Sequence, residues 1–417
     1  MLDAKHLHRF DSPTDKGIDA LILRQREGCP LDQPFHTDAS IFERDVERIG
    51  LRQWLFVDHA SRISDPGDYL TFEAFGESII VLRTERGEIN AFYNVCRHRG
   101  SRICLEEQGR VSKLTCPYHA WSWNLEGELT RARLMAEDFD GTKHGLHRCH
   151  VELVEGLVFV NLSEEAPPSF SAAGAAYREF LHPHGLADTK VAHVEDYPTQ
   201  ANWKLVLENF LECYHCPGAH PEFTAGNSQV WLWGYATEGK LREFDEFQSD
   251  WMQRCESLGH KSGSASERSR SNSILNYGIG RQGIHPGYET MSEGGRPVAP
   301  LMGEFTEYDG GETVGMISPF FAISACNDYA VAIRFLPRDA HNTDVRLTWL
   351  VRGDAVEGED YDPEAVKWMW HVTLEQDTKL AEDNMRGVVS RRYEPGQYAT
   401  VEGDTDNFVR WYLAQIS

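Results

Sequence analysis

The sequence predicts an α+β protein, with an all-β module in its first half and a mixed module of longer strands closed by a long helix in its second. Two observations carry this. Residues 54–162 break into short β-like runs at 54–57, 69–75, 78–83, 89–95, 114–115 and 157–162, separated by turns such as Asp65-Pro66-Gly67 and Glu126-Gly127-Glu128. Residues 313–351 return to strand texture, and Asp362-Pro363 then opens a helix through Val366, Met369, Trp370, Thr373, Leu374 and Leu380, with Asp as N-cap and Pro in the first turn.

The remaining elements follow in order. Residues 1–45 form an extension, with one short helix at 38–48 for which Ser40 is the candidate N-cap and Ile41, Phe42 and Val46 a partial apolar stripe. The all-β module spans 46–165, ending where Pro167-Pro168 stops the last strand, and the second module spans 166–417. Within it lie an amphipathic patch (Tyr177, Phe180, Leu181), a strand at 190–197 and a helix from Asn202. Residues 259–273, rich in Ser, Gly and charge, predict a mobile loop or lid.

With 417 residues and 41% apolar content, the chain has enough material for two or three cores. A net charge of −24 opposes sequence-independent binding to nucleic acid and suits small cations or basic partners. Residues 1–11 lack a signal-peptide core, and no run of about 18 apolar residues exists, so a cytoplasmic protein without a membrane span is expected. Nine cysteines, an odd number scattered among histidines, favour ligation over disulfides in a reducing compartment.

Two motifs carry chemistry. Cys96-Arg97-His98 and Cys116-Pro117-Tyr118-His119 each pair one thiolate with one imidazole on a short loop. A Rieske [2Fe-2S] cluster needs this donor set, two Cys on one iron and two His on the other, and the imidazoles lift its potential to roughly −150 to +300 mV. A structural zinc site uses the same donors, but zinc fingers pair like with like in sequence. Cys104 and Cys149 read as small buried residues.

The second motif, residues 202–221, holds Glu208, Asn209, Glu212, His215 and His220. In an unbroken helix, positions five apart point about 140° from each other, too far for one metal ion. Pro217 disfavours helix at Cys216, so the helix should end near His215 and let His220 swing back. Two histidines and one carboxylate make the open facial triad that suits Fe(II) and O2. Glu212, one helical turn before His215, can hold that imidazole's other N–H, while Glu208 and Asn209 read as supporting polar residues. A closed zinc site on Cys213, His215, Cys216 and His220 is the competing arrangement. The third iron ligand lies elsewhere, and the long helix offers Glu375, Asp377, Glu382 and Asp383 without periodicity choosing among them.

Together, Asn94, Cys96 to His119 with Arg99-Gly100, Trp121, and Asn202-Trp203-Lys204 through His220 resemble the large (α) subunit of the Rieske non-heme iron oxygenases. The likeness runs over residues 33–413. It implies an all-β Rieske domain, an antiparallel helix-grip catalytic domain on which residues 1–45 pack, and a mononuclear Fe(II). The family's pattern falls on Gln376, Asp377, Leu380, Glu382 and Asn384, which makes Asp377 the third ligand and Glu375 the fallback. It also makes Glu212 and Asn209 catalytic-site residues, with Glu212 bridging to His119 of a neighbouring subunit in a homotrimer. Neither a Gly-X-Gly-X-X-Gly loop nor four-Cys ferredoxin spacing occurs, so the electrons that activate O2 are expected from a separate NAD(P)H-dependent flavin and iron–sulfur reductase.

Within that family, residues 349–358, Gln376-Asp377, 382–387 and 393–396 look most like the monooxygenases of quaternary ammonium compounds, the glycine betaine, stachydrine, choline and carnitine type, which N-demethylate with release of formaldehyde. An aromatic cage would take the trimethylammonium head. Trp231, Trp233 and Tyr235 have the alternating spacing for it; Tyr277, Phe320 and Phe321 are further candidates, and all six also read as core or sheet aromatics. The region that departs most from the family, 222–310, is where substrate contacts are expected. The alternatives are an aromatic substrate undergoing ring hydroxylation or O-demethylation, and a binding protein with two structural zincs.

Overall fold

The computed structural model describes residues 15–232, 236–267 and 274–417. The chain opens with α1 (Asp15–Arg24), α2 (Pro34–Thr37) and α3 (Ala39–Arg48). The first sheet region holds β1 (Leu55–His59), β2 (Asp68–Ala74), β3 (Glu77–Arg83), β4 (Ile89–Tyr93), β5 (Gln108–Arg110), β6 (Leu114–Thr115), β7 (Ser122–Trp123), β8 (Leu129–Arg131), β9 (Arg148–Val154) and β10 (Leu157–Asn161). Seven of these form an antiparallel sheet in the order β1-β10-β9-β4-β3-β2-β5, and β6-β7-β8 form a small sheet of their own.

After α4 (Ser171–Leu181) come β11 (Thr189–Thr199), α5 (Trp203–Leu211), α6 (Cys216–Ala219), α7 (Pro221–Gly226) and α8 (Glu238–Leu258). Then follow β12 (Gly263–Glu267), β13 (Asn276–Gly283), β14 (Gly311–Ser318), β15 (Phe321–Ala325), β16 (Tyr329–Asp339), β17 (Asn342–Arg352), α9 (Pro363–Val388) and α10 (Gly403–Ile416). The second sheet, β11-β17-β16-β15-β14-β13-β12, is antiparallel throughout, and α9 lies across it, as expected for a helix-grip domain.

Strand periodicity explains the packing. In β3 the unbroken run of Ile79, Ile80, Val81 and Leu82 is buried on both sides. Ile79 and Val81 face the core shared with α1 and α3, whereas Ile80 and Leu82 face a second core with Cys96, Cys116 and Trp121. In the second sheet Val331, Ile333, Leu347 and Trp349 pack against α9, while Ala330, Ala332, Phe321 and Ile323 meet α4 and strands β1 and β10.

Helix α5 is anchored by a buried ion pair. Lys204 Nζ lies 2.6 Å from Asp45 Oδ2 on α3, and Tyr412 of α10 donates to Asp45 Oδ1 at 2.7 Å. The helix that leads into the second motif is thus tied to both ends of the chain.

Several elements differ from the sequence reading. The cap of α3 is Asp38, whose carboxylate accepts the Ser40 N–H at 2.8 Å, so Ser40 is inside the first turn. The extension holds α1 and α2 besides the expected helix. Of the expected loop at 259–273, residues 263–267 pair as an edge strand with β13 and 268–273 lie outside the described residues. Helix α8 was not foreseen. Its buried side chains are only Phe244, Trp251 and Cys255, too sparse a stripe for a periodic signal.

Candidate active site

The first site sits on two loops of the same construction. In one, Cys96 N donates to Ser101 O and Gly100 N to Cys96 O; in the other, Cys116 N donates to Trp121 O and Ala120 N to Cys116 O, all at 2.8–3.0 Å. Gly100 and Ala120 hold equivalent places with φ of 77° and 58°. Ala120 therefore adopts a left-handed conformation that usually requires glycine.

Each loop sends its cysteine inward and its histidine outward. Cys96 and Cys116 are buried, while His98 and His119 are exposed, their ring centroids 4.7 Å apart. Trp121 stacks on His98 at 4.9 Å, and the Arg99 guanidinium lies 2.9 Å from Nε2 of His119. Burial pushes the Cys96 thiol pKa up, and the neighbouring Cys116 sulfur pushes it the same way against backbone N–H groups of His98 and Arg99. Buried Asn94 fixes the approach, its Oδ1 accepting from Ile103 N and Cys104 N and its Nδ2 donating to Cys104 O. Two buried sulfurs and two exposed imidazoles are the donor set that would hold a [2Fe-2S] group.

The second site lies between α5, α6 and α9. His215 Nε2, His220 Nε2 and Asp377 Oδ1 are 3.0, 3.5 and 2.9 Å from one another. Neighbouring ligands about 2.1 Å from one octahedral ion stand about 3.0 Å apart, so these three atoms match one face of such a shell. The other nitrogens are occupied: His215 Nδ1 bonds Glu212 Oε1 at 2.6 Å, and His220 Nδ1 bonds Gln376 Oε1 at 2.7 Å. Carboxylate and amide oxygens can only accept, which places the protons on Nδ1 and aims both Nε2 lone pairs at the common point. Asn209 Nδ2 donates to Asp377 Oδ1 at 2.8 Å.

The electrostatics match a cation site. Burial disfavours the His215 imidazolium, but the Asp377 and Glu212 carboxylates outweigh it and bring its pKa up to about 9; His220 is raised by Asp377 and Gln376 against burial. Asp377, despite burial, is held below its ordinary value by the two imidazoles. Its side chain is 17% exposed, whereas that of the fallback, Glu375, is 64% exposed and 3.7 Å from His371 on the outer side of α9.

The route to this geometry differs from the one read in the sequence. Helix α5 ends at Leu211, not near His215, because Glu212 is extended (φ −132°, ψ 158°). Glu212 Oε2 instead accepts the N–H groups of Tyr214 and His215, turning the chain so that Oε1 reaches the imidazole. Pro217 lies in the first turn of α6 rather than breaking α5. Cys213 and Cys216 form a disulfide, contrary to the preference for ligation, because that turn brings them together. This also removes the four-ligand zinc arrangement on Cys213, His215, Cys216 and His220.

The aromatic candidates fare unevenly. Phe320 packs on Trp203 and Phe75, and Phe321 on Phe56 and Phe159, in cores away from the ligands. Tyr277 also joins the α4 side of the sheet. The Trp231 side chain, Trp233 and Tyr235 lie outside the described residues. Phe223 and Trp370 pack on each other with centroids 5.9 Å apart, in the core between α9 and the sheet.

The family described as the Rieske [2Fe-2S] domain matches residues 53–147, and the ring hydroxylating alpha subunit (catalytic domain) matches 186–417. The glycine betaine monooxygenase oxygenase subunit of Chromohalobacter salexigens is 38% identical over 416 residues, 97% of this chain and 90% of that protein. Its counterpart in Pseudomonas aeruginosa strain UCBPP-PA14 is 35% identical over 412 residues, covering 97% and 93%. The carnitine monooxygenase oxygenase subunit of Escherichia coli K12 is 36% identical over 204 residues, 48% and 54%. The fold is shared with a quaternary ammonium Rieske monooxygenase (TM-score 0.70, 22% identity, 97% and 99% covered) and with naphthalene 1,2-dioxygenase (TM-score 0.67, 21% identity, 94% and 93% covered). The chain belongs to the Rieske non-heme iron oxygenases, as an α-type subunit with a Rieske [2Fe-2S] domain and a mononuclear-iron catalytic domain.

Proposed function

We propose that this oxygenase hydroxylates an N-methyl group of a betaine-like quaternary ammonium compound, and that the product carbinolamine collapses to formaldehyde and the demethylated amine. The observation that carries this is the full-length likeness to glycine betaine monooxygenase oxygenase subunits, at 38% identity over 97% of the chain. The charge of −24 favours a cationic substrate.

Cys96, His98, Cys116 and His119 hold the cluster, and His215, His220 and Asp377 hold Fe(II). Bound there, the two groups supply single electrons and O2 activation. Glu212 and Gln376 keep the Nδ1 protons in place, and Asn209 orients Asp377. His98 and His119 form an exposed tip; in a homotrimer, the tip of one subunit seats beside Glu212 of the next, whose carboxylate joins the His119 ring to His215. Electrons enter from a separate NAD(P)H-dependent reductase in the cytoplasm. Among the described residues no helix is long and apolar enough to cross a membrane.

The test is a substrate panel with a reconstituted reductase, reading O2 uptake and formaldehyde. Betaine-dependent formaldehyde supports the reading. Turnover of an aromatic ring with no formaldehyde from any betaine would replace it with the aromatic one.

A further inference from the structure

Cys213 and Cys216 flank the iron ligand His215 and are joined by a disulfide, while the other seven cysteines are free. Cys216 is 2% exposed, and its Sγ lies 3.8 Å from His215 Nε2, the nitrogen aimed at the metal. That sulfur and the ligand nitrogens of His215 and His220 all fall within 4.8 Å of one another. A tetrahedral ion about 2.0–2.1 Å from an imidazole and about 2.3 Å from a thiolate places nitrogen and sulfur about 3.6 Å apart. The sulfur therefore already stands at ligand distance from its neighbour. Cys213, by contrast, is only half-buried, giving the disulfide one sulfur toward solvent and one toward the metal.

We propose that the Cys213–Cys216 disulfide is a redox-controlled cap on a fourth metal ligand: when it is reduced, Cys216 joins His215, His220 and Asp377 on the metal. This rests on the assignment of those three residues as the iron site. Reduction breaks the S–S bond; a dithiol supplies two electrons and two protons and is itself oxidised to a disulfide. The Cys216 proton leaves as the thiolate binds the ion. One sulfur, two nitrogens and one oxygen make a closed tetrahedral set that suits zinc, whereas the disulfide form keeps three ligands and the open positions that O2 chemistry needs. The pair thus sets which metal the site prefers and whether it can turn over.

The test uses protein with its cluster intact and its mononuclear iron exchanged for zinc, read by X-ray absorption at the zinc edge, where cluster iron is silent. Alkylation mapping reports the state of the two cysteines after diamide or phosphine treatment. Diamide-treated protein should show only nitrogen and oxygen neighbours near about 2.0–2.1 Å, and phosphine-reduced protein one sulfur near about 2.3 Å. Cys213→Ser should show that sulfur without reductant, and Cys216→Ser should never show it. Stoichiometric zinc with no sulfur in both the reduced protein and Cys213→Ser overturns the proposal while leaving the iron site standing, as does a pair that diamide cannot oxidise. Failure of zinc to occupy the site in any form overturns the iron-site assignment and this proposal with it.

Discussion

Glu212 Oε1 sits 2.6 Å from His215 Nδ1, while Oε2 of the same carboxylate holds the N–H groups of Tyr214 and His215. One side chain therefore shapes the turn and fixes the tautomer of the His215 imidazole. Glu212→Gln keeps an acceptor for Nδ1 and removes the charge. Both metal sites should stay filled, while single-turnover oxidation of the reduced cluster slows by about 10–100-fold. A rate equal to wild type would remove Glu212 from the electron path.

Asp377 and Glu375 stand on one helix, and exposure separates them. Asp377→Ala should reduce iron from about three to about two atoms per chain while acid-labile sulfide stays at about two, because the [2Fe-2S] loops are independent of α9. Glu375→Ala should change neither number. Metal and sulfide analysis of anaerobically prepared protein checks both, and the reverse pattern would exchange the two roles.

How much of this was legible in the sequence depended on whether the signal was local. The Cys-X-His and Cys-X-X-His loops are complete within six residues each, and residue type alone identifies the donors. His215 and His220 were legible as a pair, but the turn between them was not. Helix periodicity assumed that Glu212 was helical, whereas its carboxylate captures two backbone N–H groups and ends the helix four residues early. Asp377 needed the family's pattern, since a residue 157 positions from His220 leaves no trace in spacing. Phe320 and Phe321 misled because Phe320, in the turn before β15, and Phe321, the first residue of that strand, send their rings into two different cores.

Glu208 gives a pH signature. Its Oε1 is buried without a partner among the described residues, and Tyr398 donates to Oε2 at 3.2 Å. Burial raises its pKa from 4.5 to about 7, against the pull of Tyr398 and Lys204. A carboxyl raised on folding adds its full stability below pH 4.5 and loses it as pH rises through about 7. That interval corresponds to about 3 kcal/mol. Glu208→Gln does not titrate, so its unfolding free energy relative to wild type should climb by up to about 3 kcal/mol between pH 4.5 and 7 and then level off. Urea unfolding of both proteins at pH 5 and pH 8 checks this; a difference that does not change with pH would show that Glu208 is not protonated on folding.

Gln376 holds the second imidazole as Glu212 holds the first. Its Oε1 accepts from His220 Nδ1 at 2.7 Å, and its Nε2 donates to Glu222 Oε2 at 3.0 Å, so the amide cannot flip without losing both bonds. His220 is 1% exposed, and no water can replace the lost acceptor. In Gln376→Leu, Nδ1 is left unpaired and the ring is free to carry its proton on Nε2, where it opposes the metal. Fe(II) affinity should fall by about 10–100-fold, with the cluster's visible spectrum unchanged. Gln376→Glu restores the acceptor for Nδ1 but sets a second carboxylate against Glu222. It should recover affinity only when Glu222 is also changed to Gln, which again supplies an amide to donate between them. Metal titrations of the two single variants and the double variant test that dependence. Full affinity in Gln376→Leu would show that Asp377 and Asn209 orient the site without the His220–Gln376–Glu222 chain.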